Sequence, residues 1–395
     1  MSLRTPVIEQ SAARLLLACA TWEISTARTA RVRRVAAGVN WLEWLALVRV
    51  HRLVPHAKRQ LDAAGVEVPP DVRVRLDVAA HKIAAVALKQ AAQLADLQRG
   101  CFAAHIPLVA YKGPALALTA YGVLGARQSV DLDIVVRVGD VARARQTLLT
   151  AGYVSRYGMS EAQERVVQGS FGHSVFIRRE DEVPVELHWR FARAIYPWTL
   201  PVDDVFARAH HLDIAGASIL TCDPLDSVLL QCMHGARHEW ETLEWLAALA
   251  GTLHRTKIDG AALLDRATRN RSRRAVLLAV LLLRDLLQSD AAPRELIAIA
   301  ERDPNVRQLA AAVVARFTHE VETGPHSSRQ FALRLMDGNG DRANYLLRTA
   351  FEPTLREWEL LPLPDALLPF YYLIRPVRLL FRRRASRQKS DVESE

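Results

Sequence analysis

Residues 110–138 read AYKGPALALTAYGVLGARQSVDLDIVVRV, and their reading decides the fold. The apolar run IPLVAYK at 106–112 has the length and composition of a strand. Gly113-Pro114 punctuates it, and Pro114 suits the first turn of a helix, where a missing N–H costs nothing. ALALTAY (115–121) continues as that helix and Gly122 closes it. DLDIVVRV (131–138) is then a second strand, opening on two carboxylates. Side chains two apart in a strand point to one side. Asp131 and Asp133 therefore project together, while Leu132, Ile134 and Val136 face a core. Two adjacent carboxylates raise each other's pKa unless a cation lies between them. Such oxygens suit Mg²⁺ (or Mn²⁺), hard ions that usually share their ligands with phosphates.

Downstream, Gly139-Asp140 offers a cap, VARARQTLLTA (141–151) reads as a helix, and Gly152 stands at its stop. HSVFIRRE (173–180) and VPVELHWRF (183–191) are two strand-like runs about the polar turn Asp181-Glu182. Strand–helix–strand–helix–strand–strand makes a small α/β unit over about residues 99–215. In its last strand Glu186 and His188 share one face, opposite Val185, Leu187 and Trp189. A third carboxylate thus joins the first two, and such a trio can hold two metal ions that clamp an in-line phosphoryl displacement. Taken alone, a D-x-D string is more often a surface turn or a helix cap. The glycine turn upstream, the strand it opens and the third acid are what give this one its meaning.

The flanks read differently. SAARLLLACATWEI (11–24) and DVAAHKIAAVALKQAAQLADLQRGCF (77–102) carry apolar residues at helical spacing, so residues 1–98 form an N-terminal helical region. Residues 216–384 are helical again, and 385–395 are a solvated tail. The fold class is α+β, a small mixed sheet between helical regions. DPLDSVLLQCMHGARHEW (223–240) places Leu225, Val228, Leu229, Cys232 and Ala236 on one face of a helix. His234, His238 and Glu241 lie opposite, together with Trp245. Histidines four apart can share a metal, but the glutamate of an HExxH site is missing, which argues against a zinc hydrolase. This helix either lines a substrate cleft or packs a polar face on the middle unit. His173 reads as structural, and His188 as a group that orients Glu186 or binds the acceptor.

In the 395 residues, 52 Lys and Arg against 43 Asp and Glu leave a formal charge of +9. That balance suits an acidic partner (nucleotide phosphates, nucleic acid or an anionic membrane surface), and equally a plain arginine-rich surface. Cys19, Cys101, Cys222 and Cys232 are scattered and form no CxxC pair, which fits a reducing compartment. No signal-peptide pattern or membrane-spanning apolar run is visible, and the expectation is a cytoplasmic protein. LLPLPDALLPFYYLIRPVRLLFRRR (360–384) mixes an apolar aromatic run with Arg375, Arg378, Arg382, Arg383 and Arg384. It either rests on an anionic membrane as a peripheral contact or packs back on the helices with a basic exit.

YKGPALALTAYG, ARQSVDLDIVV, VPVELHW and LLQCMHGARHEW together resemble an uncharacterised nucleotidyltransferase family of the DNA polymerase β-like superfamily. The resemblance extends to HRLVP at 51–55. It implies a polymerase β-like nucleotidyltransferase domain in which Asp131, Asp133 and Glu186 bind catalytic metal. Gly113 is then the turn that approaches the triphosphate, with helix-start N–H groups favouring the anion. Lys112 and Arg127 are phosphate or transition-state counter-charges by the same resemblance. The reaction implied is transfer of a nucleoside monophosphate to a hydroxyl acceptor, with release of pyrophosphate. One departure stands out. The wider superfamily has Gly-Ser at the turn, whereas Pro114 offers neither hydroxyl nor N–H.

Three function classes compete. The first is a metal-dependent nucleotidyltransferase acting on a small molecule or peptide. The second is a non-catalytic nucleotide-binding module, of which Pro114 is a first sign and against which the three retained acids argue. The third is a nucleic-acid-modifying enzyme. No basic stripe interleaved with aromatics surrounds the α/β unit, so nucleic acid ranks last as a partner.

Overall fold

The computed structural model describes residues 10–157, 163, 169, 171–178, 183–318, 325–354, 357, 360, 361 and 363–380. The turn Asp181-Glu182, Arg382–Arg384 and the tail at 385–395 lie outside them.

Five helices lead the chain: α1 (Gln10–Cys19), α2 (Thr26–Ala36), α3 (Trp41–Val50), α4 (Val54–Ala64) and α5 (Pro70–Ala103). The α/β part comes next as β1 (Val109–Ala110), α6 (Gly113–Tyr121), β2 (Leu132–Val135), α7 (Val141–Thr150), β3 (Val154–Ser155), β4 (His173–Ile177), β5 (Val185–His188), α8 (Val202–Arg208), β6 (His210–Ile214) and β7 (Ala217–Thr221). Helices then resume: α9 (Pro224–Arg237), α10 (Leu243–Arg255), α11 (Gly260–Arg269), α12 (Arg273–Asp285), α13 (Arg294–Arg302), α14 (Pro304–Thr318), α15 (Pro325–Leu335) and α16 (Asn339–Phe351). Residues 371–380 are helical as well. No helix among the described residues is long and apolar enough to cross a membrane.

The strands form one mixed sheet in the order β3-β4-β5-β2-β1-β7-β6. β2 pairs parallel with β5 and antiparallel with β1, and β1 pairs parallel with β7. The α+β class holds. The expected break at 98 falls inside α5. The break at 215 falls in the tight turn between β6 and β7, where Ala215 and Gly216 are both left-handed (φ 54° and 77°). The sheet therefore runs on to Thr221, whose hydroxyl donates to the carbonyl of Ala110 (2.8 Å).

Strand alternation sorts the two faces of the sheet. Leu132, Ile134, Val185 and Leu187 pack with Leu94, Leu97 and Cys101 of α5 and Val141, Ala144 and Leu148 of α7. On the other face Val109, Tyr111 and Val135 join a second core. That core merges the two helical flanks: Leu15, Leu16, Trp44 and Leu61 pack in one cluster with Leu229, Leu246 and the buried run Ala275–Leu283. Apolar area removed from water at roughly 25 cal/mol per Å² makes this shared core the main stabilising term. All four cysteines are buried free thiols. Burial pushes Cys19 up to about 12 and Cys101 up to about 11, which keeps both inert.

Candidate active site

The parallel register of β2 on β5 sets Asp133 level with Glu186 and Val135 level with His188. Antiparallel pairing of β4 sets His173 opposite His188. The alternation expected from DLDIVV and VELHW is therefore present, and three side chains of two neighbouring strands meet on one face. Asp131 stands at the bend before β2 rather than within it.

Asp133 is buried, and its Oδ1 collects three donors. These are Lys112 Nζ at 3.0 Å, His188 Nε2 at 3.1 Å and the Tyr111 hydroxyl at 3.3 Å. Burial alone would raise its pKa; Lys112 and His188 outweigh burial and hold the carboxyl well below the usual range. His188 Nε2 also lies 3.1 Å from Glu186 Oε2. Burial disfavours the imidazolium, but hydrogen bonds to Asp133 and then Glu186 raise His188 above an ordinary histidine. Burial and then the charge of Asp133 push Asp131 up to about 6. His173 stacks on His188 with ring centroids 4.8 Å apart, and burial, together with that neighbour's charge, brings it down to about 4.

These groups open on a cleft of about 340 Å³. Its far wall is α9 and α10, with His234, Arg237, His238 and Trp245, and Arg52 closes one end. Gly113, next to Lys112, starts α6 with φ 56°. A Cβ there would meet Leu132 at 3.4 Å and the Asp131 carbonyl at 3.6 Å, so the turn needs glycine for its backbone conformation, not for space. Pro114 occupies the first turn of α6, as expected. The Ser129 hydroxyl lies 3.9 Å from that Cβ position and lines the same cleft.

Lys112, Asp131, Glu186, His188, His234 and His238 line one cleft; Asp133 is buried behind Lys112 and His188, and Gly113 follows Lys112 in the chain. Two expectations take a more particular form. Arg127 lines the cleft and pairs with Glu244 of α10, 2.9 Å away and buried with it. The pair ties the sheet unit to α10. The second concerns the histidine helix, which stops at Arg237 instead of running through Trp240. Glu239 and Trp240 are both left-handed (φ 54°), and Trp240 folds back to donate its backbone N–H to the Gly235 carbonyl (2.8 Å). Glu241 and Trp245 reach the cleft from beyond that turn, Trp245 on the next helix. His234 and His238 lie with ring centroids 4.8 Å apart, each against Trp245. Burial, then the charge of Arg237, brings His238 down to about 3, and Arg237 Nη2 donates to its Nε2 (2.8 Å). They are neutral lining groups.

Sequence reasoning passed over Tyr111, Arg52, Arg193 and Arg237. Tyr111 was findable, since it is one residue from Lys112 and its ring stands edge-on to His188 (5.3 Å). Arg52 lies inside HRLVP, in a left-handed turn (φ 58°) between α3 and α4. Arg193 has no signal in its neighbours; its guanidinium lies 5.0 Å over the Phe171 ring.

The donor set accommodates a divalent cation. Asp133 Oδ2 is buried with no hydrogen-bond partner among the described residues, an arrangement that costs free energy until a cation or donor arrives. The raised Asp131 beside it also calls for positive charge. His173, Glu186 and His188 place ligand atoms within 4.8 Å of one another, an overlapping group with Glu186 in common. His188 Nε2 already lies 3.1 Å from an oxygen of each of two carboxylates, Asp133 and Glu186.

A mixed sheet presenting three acids beside a glycine turn and a basic cleft, between helical flanks, defines a nucleotidyltransferase domain. The chain belongs to the uncharacterised nucleotidyltransferase family, whose model matches residues 37–288, from just before α3 to just past α12. No curated protein and no solved structure matches it.

Proposed function

We propose that the protein moves a nucleoside monophosphate from a nucleoside triphosphate to a hydroxyl of a small-molecule or peptide acceptor, releasing pyrophosphate. The observation that carries this reading is the register of β2 on β5, which sets Asp133 and Glu186 side by side, with Asp131 at the strand mouth. In the reaction the acceptor oxygen bonds to the α-phosphorus and the bond to pyrophosphate breaks. The hydroxyl proton leaves to a base. Asp131, Asp133 and Glu186 would hold Mg²⁺ or Mn²⁺, which supplies Lewis-acid polarisation and neutralises phosphate charge when bound. Lys112 spans Asp133 and the cleft as a counter-charge for the triphosphate. The positive-φ turn at Gly113 presents the α6 N-terminus to it. His188 keeps Asp133 and Glu186 in mutual register. The wall of His234, His238 and Trp245 is where an acceptor is read.

The test is incubation of the protein with each nucleoside triphosphate, Mg²⁺ or Mn²⁺ and a metabolite extract. Pyrophosphate release and a nucleotide-sized mass gain on an acceptor are monitored, in wild type and in the double variant Asp131→Asn, Asp133→Asn. Transfer abolished in the variant supports the reading. A second reading, a nucleotide-binding regulatory module, draws on Pro114, which can give a phosphate neither hydroxyl nor N–H. Nucleotide-dependent thermal stabilisation with no turnover on any acceptor would favour it.

A further inference from the structure

We infer that the segment from Leu367 to Leu380 is a membrane-surface anchor that seats on an anionic phospholipid bilayer. The inference stands apart from the catalytic reading. Leu367, Phe370, Leu373, Val377 and Leu380 are exposed by 42, 52, 61, 51 and 62 %. Their spacing of three, three, four and three residues draws one stripe along a 3₁₀ turn (Asp365–Phe370) and the helix after it.

The opposite side of the same segment is anchored. Leu368 and Tyr371 are buried in the core under the sheet, and Ile374 packs against it. The Tyr371 hydroxyl donates to the Leu361 carbonyl (2.7 Å) and accepts from the Leu363 N–H (3.0 Å). Arg375 and Arg378 both turn inward to the buried carboxylate of Glu357. The segment is therefore held rigidly by one face while the other presents large apolar side chains to water. Arg375 Nε also donates to the Thr349 carbonyl (3.2 Å), which brings α16 alongside. That helix adds exposed Leu347 and Phe351, one turn apart (60 and 46 %). Scattered exposed leucines need no explanation, but a contiguous apolar stripe does.

Charge selects the occupant. Arg375 and Arg378 share the single carboxylate of Glu357, which leaves one positive charge beside the stripe, and the sequence C-terminal to it is basic: Arg382, Arg383, Arg384, Arg387 and Lys389, ahead of the acids Asp391, Glu393 and Glu395. A basic cluster adjoining an apolar stripe suits a surface with apolar depth and negative headgroups. The net positive charge of this stretch of sequence favours a negatively charged lipid surface over a second, equally basic copy.

The experiment is sedimentation of the full chain with vesicles of phosphatidylcholine, with and without phosphatidylserine, at low and raised salt. Wild type is expected to pellet with the phosphatidylserine vesicles alone and to be released by salt. The double variant Leu373→Asp, Val377→Asp is expected to lose at least about tenfold in vesicle affinity with an unchanged Tm, since both positions face solvent. The triple variant Arg382→Ala, Arg383→Ala, Arg384→Ala should weaken binding and flatten its salt dependence. Wild type that stays in the supernatant, or variants that pellet like wild type, would overturn the inference. So would a wild-type dimer in light scattering that Leu373→Asp, Val377→Asp converts to monomer, because the stripe would then be a self-interface.

Discussion

Asp133 and Glu186 face each other across two parallel strands and share one donor, Nε2 of His188, 3.1 Å from an oxygen of each. Neighbouring carboxylates normally repel, and here one imidazole nitrogen sits between them while Lys112 covers the first. Asp133→Asn keeps the shape and removes the charge. The expected result is a loss of about 10²–10³ in the rate of pyrophosphate release, the range seen when one charge-stabilising group is removed from such a site. Steady-state assays at saturating nucleotide read it.

The buried pair Arg127 and Glu244 makes a prediction about stability. Its side chains are 8 and 0 % exposed, and it links the segment before β2 to α10. Glu244→Gln leaves a guanidinium buried without a counter-charge and should cost about 3–5 kcal/mol in denaturant unfolding. The double variant Arg127→Met, Glu244→Leu should recover most of that loss. Activity that stays low in the recovered protein would show that Arg127 also works in the cleft.

Gly235 is a third point of control. A Cβ there would lie 2.5 Å from the ring of Trp240, which is buried beneath the left-handed turn after α9. Gly235→Ala must displace that ring or the helix, at a cost of about 1–3 kcal/mol. His234 precedes it and His238 caps the same helix, so the cleft wall these histidines line moves with it. Thermal melting should show the destabilisation, and KM for the acceptor should rise more than KM for the nucleotide.

His56 predicts a pH dependence. It is fully buried between Trp22 and Tyr121, and both ring nitrogens lack partners among the described residues. Burial, and then the charge of Arg59, pushes it from 6.5 down to about 3. The unfolded imidazole takes a proton near 6.5 and the folded one resists, so the unfolded state binds more protons in between. The contribution of His56 is therefore complete above about pH 6.5 and is lost as pH falls through the window, at about 1.4 kcal/mol per unit. Urea midpoints at a series of pH values, compared between wild type and His56→Leu, check it. The variant should gain relative stability as the pH falls, and parallel curves would refute the assignment.

The strand pattern around Asp131, Asp133, Glu186 and His188 was legible because a period of two dictates sides without reference to anything distant. The Gly113 turn was legible because few residues other than glycine adopt a left-handed φ. The end of the histidine helix was not: apolar spacing continues through Trp240, and the chain turns only because that indole finds a buried place against Gly235. The pairing of Arg127 with Glu244 was not legible for a related reason, since the two are more than a hundred residues apart.

By itself the sequence determined the α+β class, the faces of the strands and the three acids, all properties of local periodicity and residue chemistry. Tertiary structure decided which strands are neighbours, that the two helical flanks share one core, and that Lys112 and Arg127 pair with Asp133 and Glu244. Those are outcomes of long-range packing, in which burial of distant surfaces selects one partner among several that local spacing would allow.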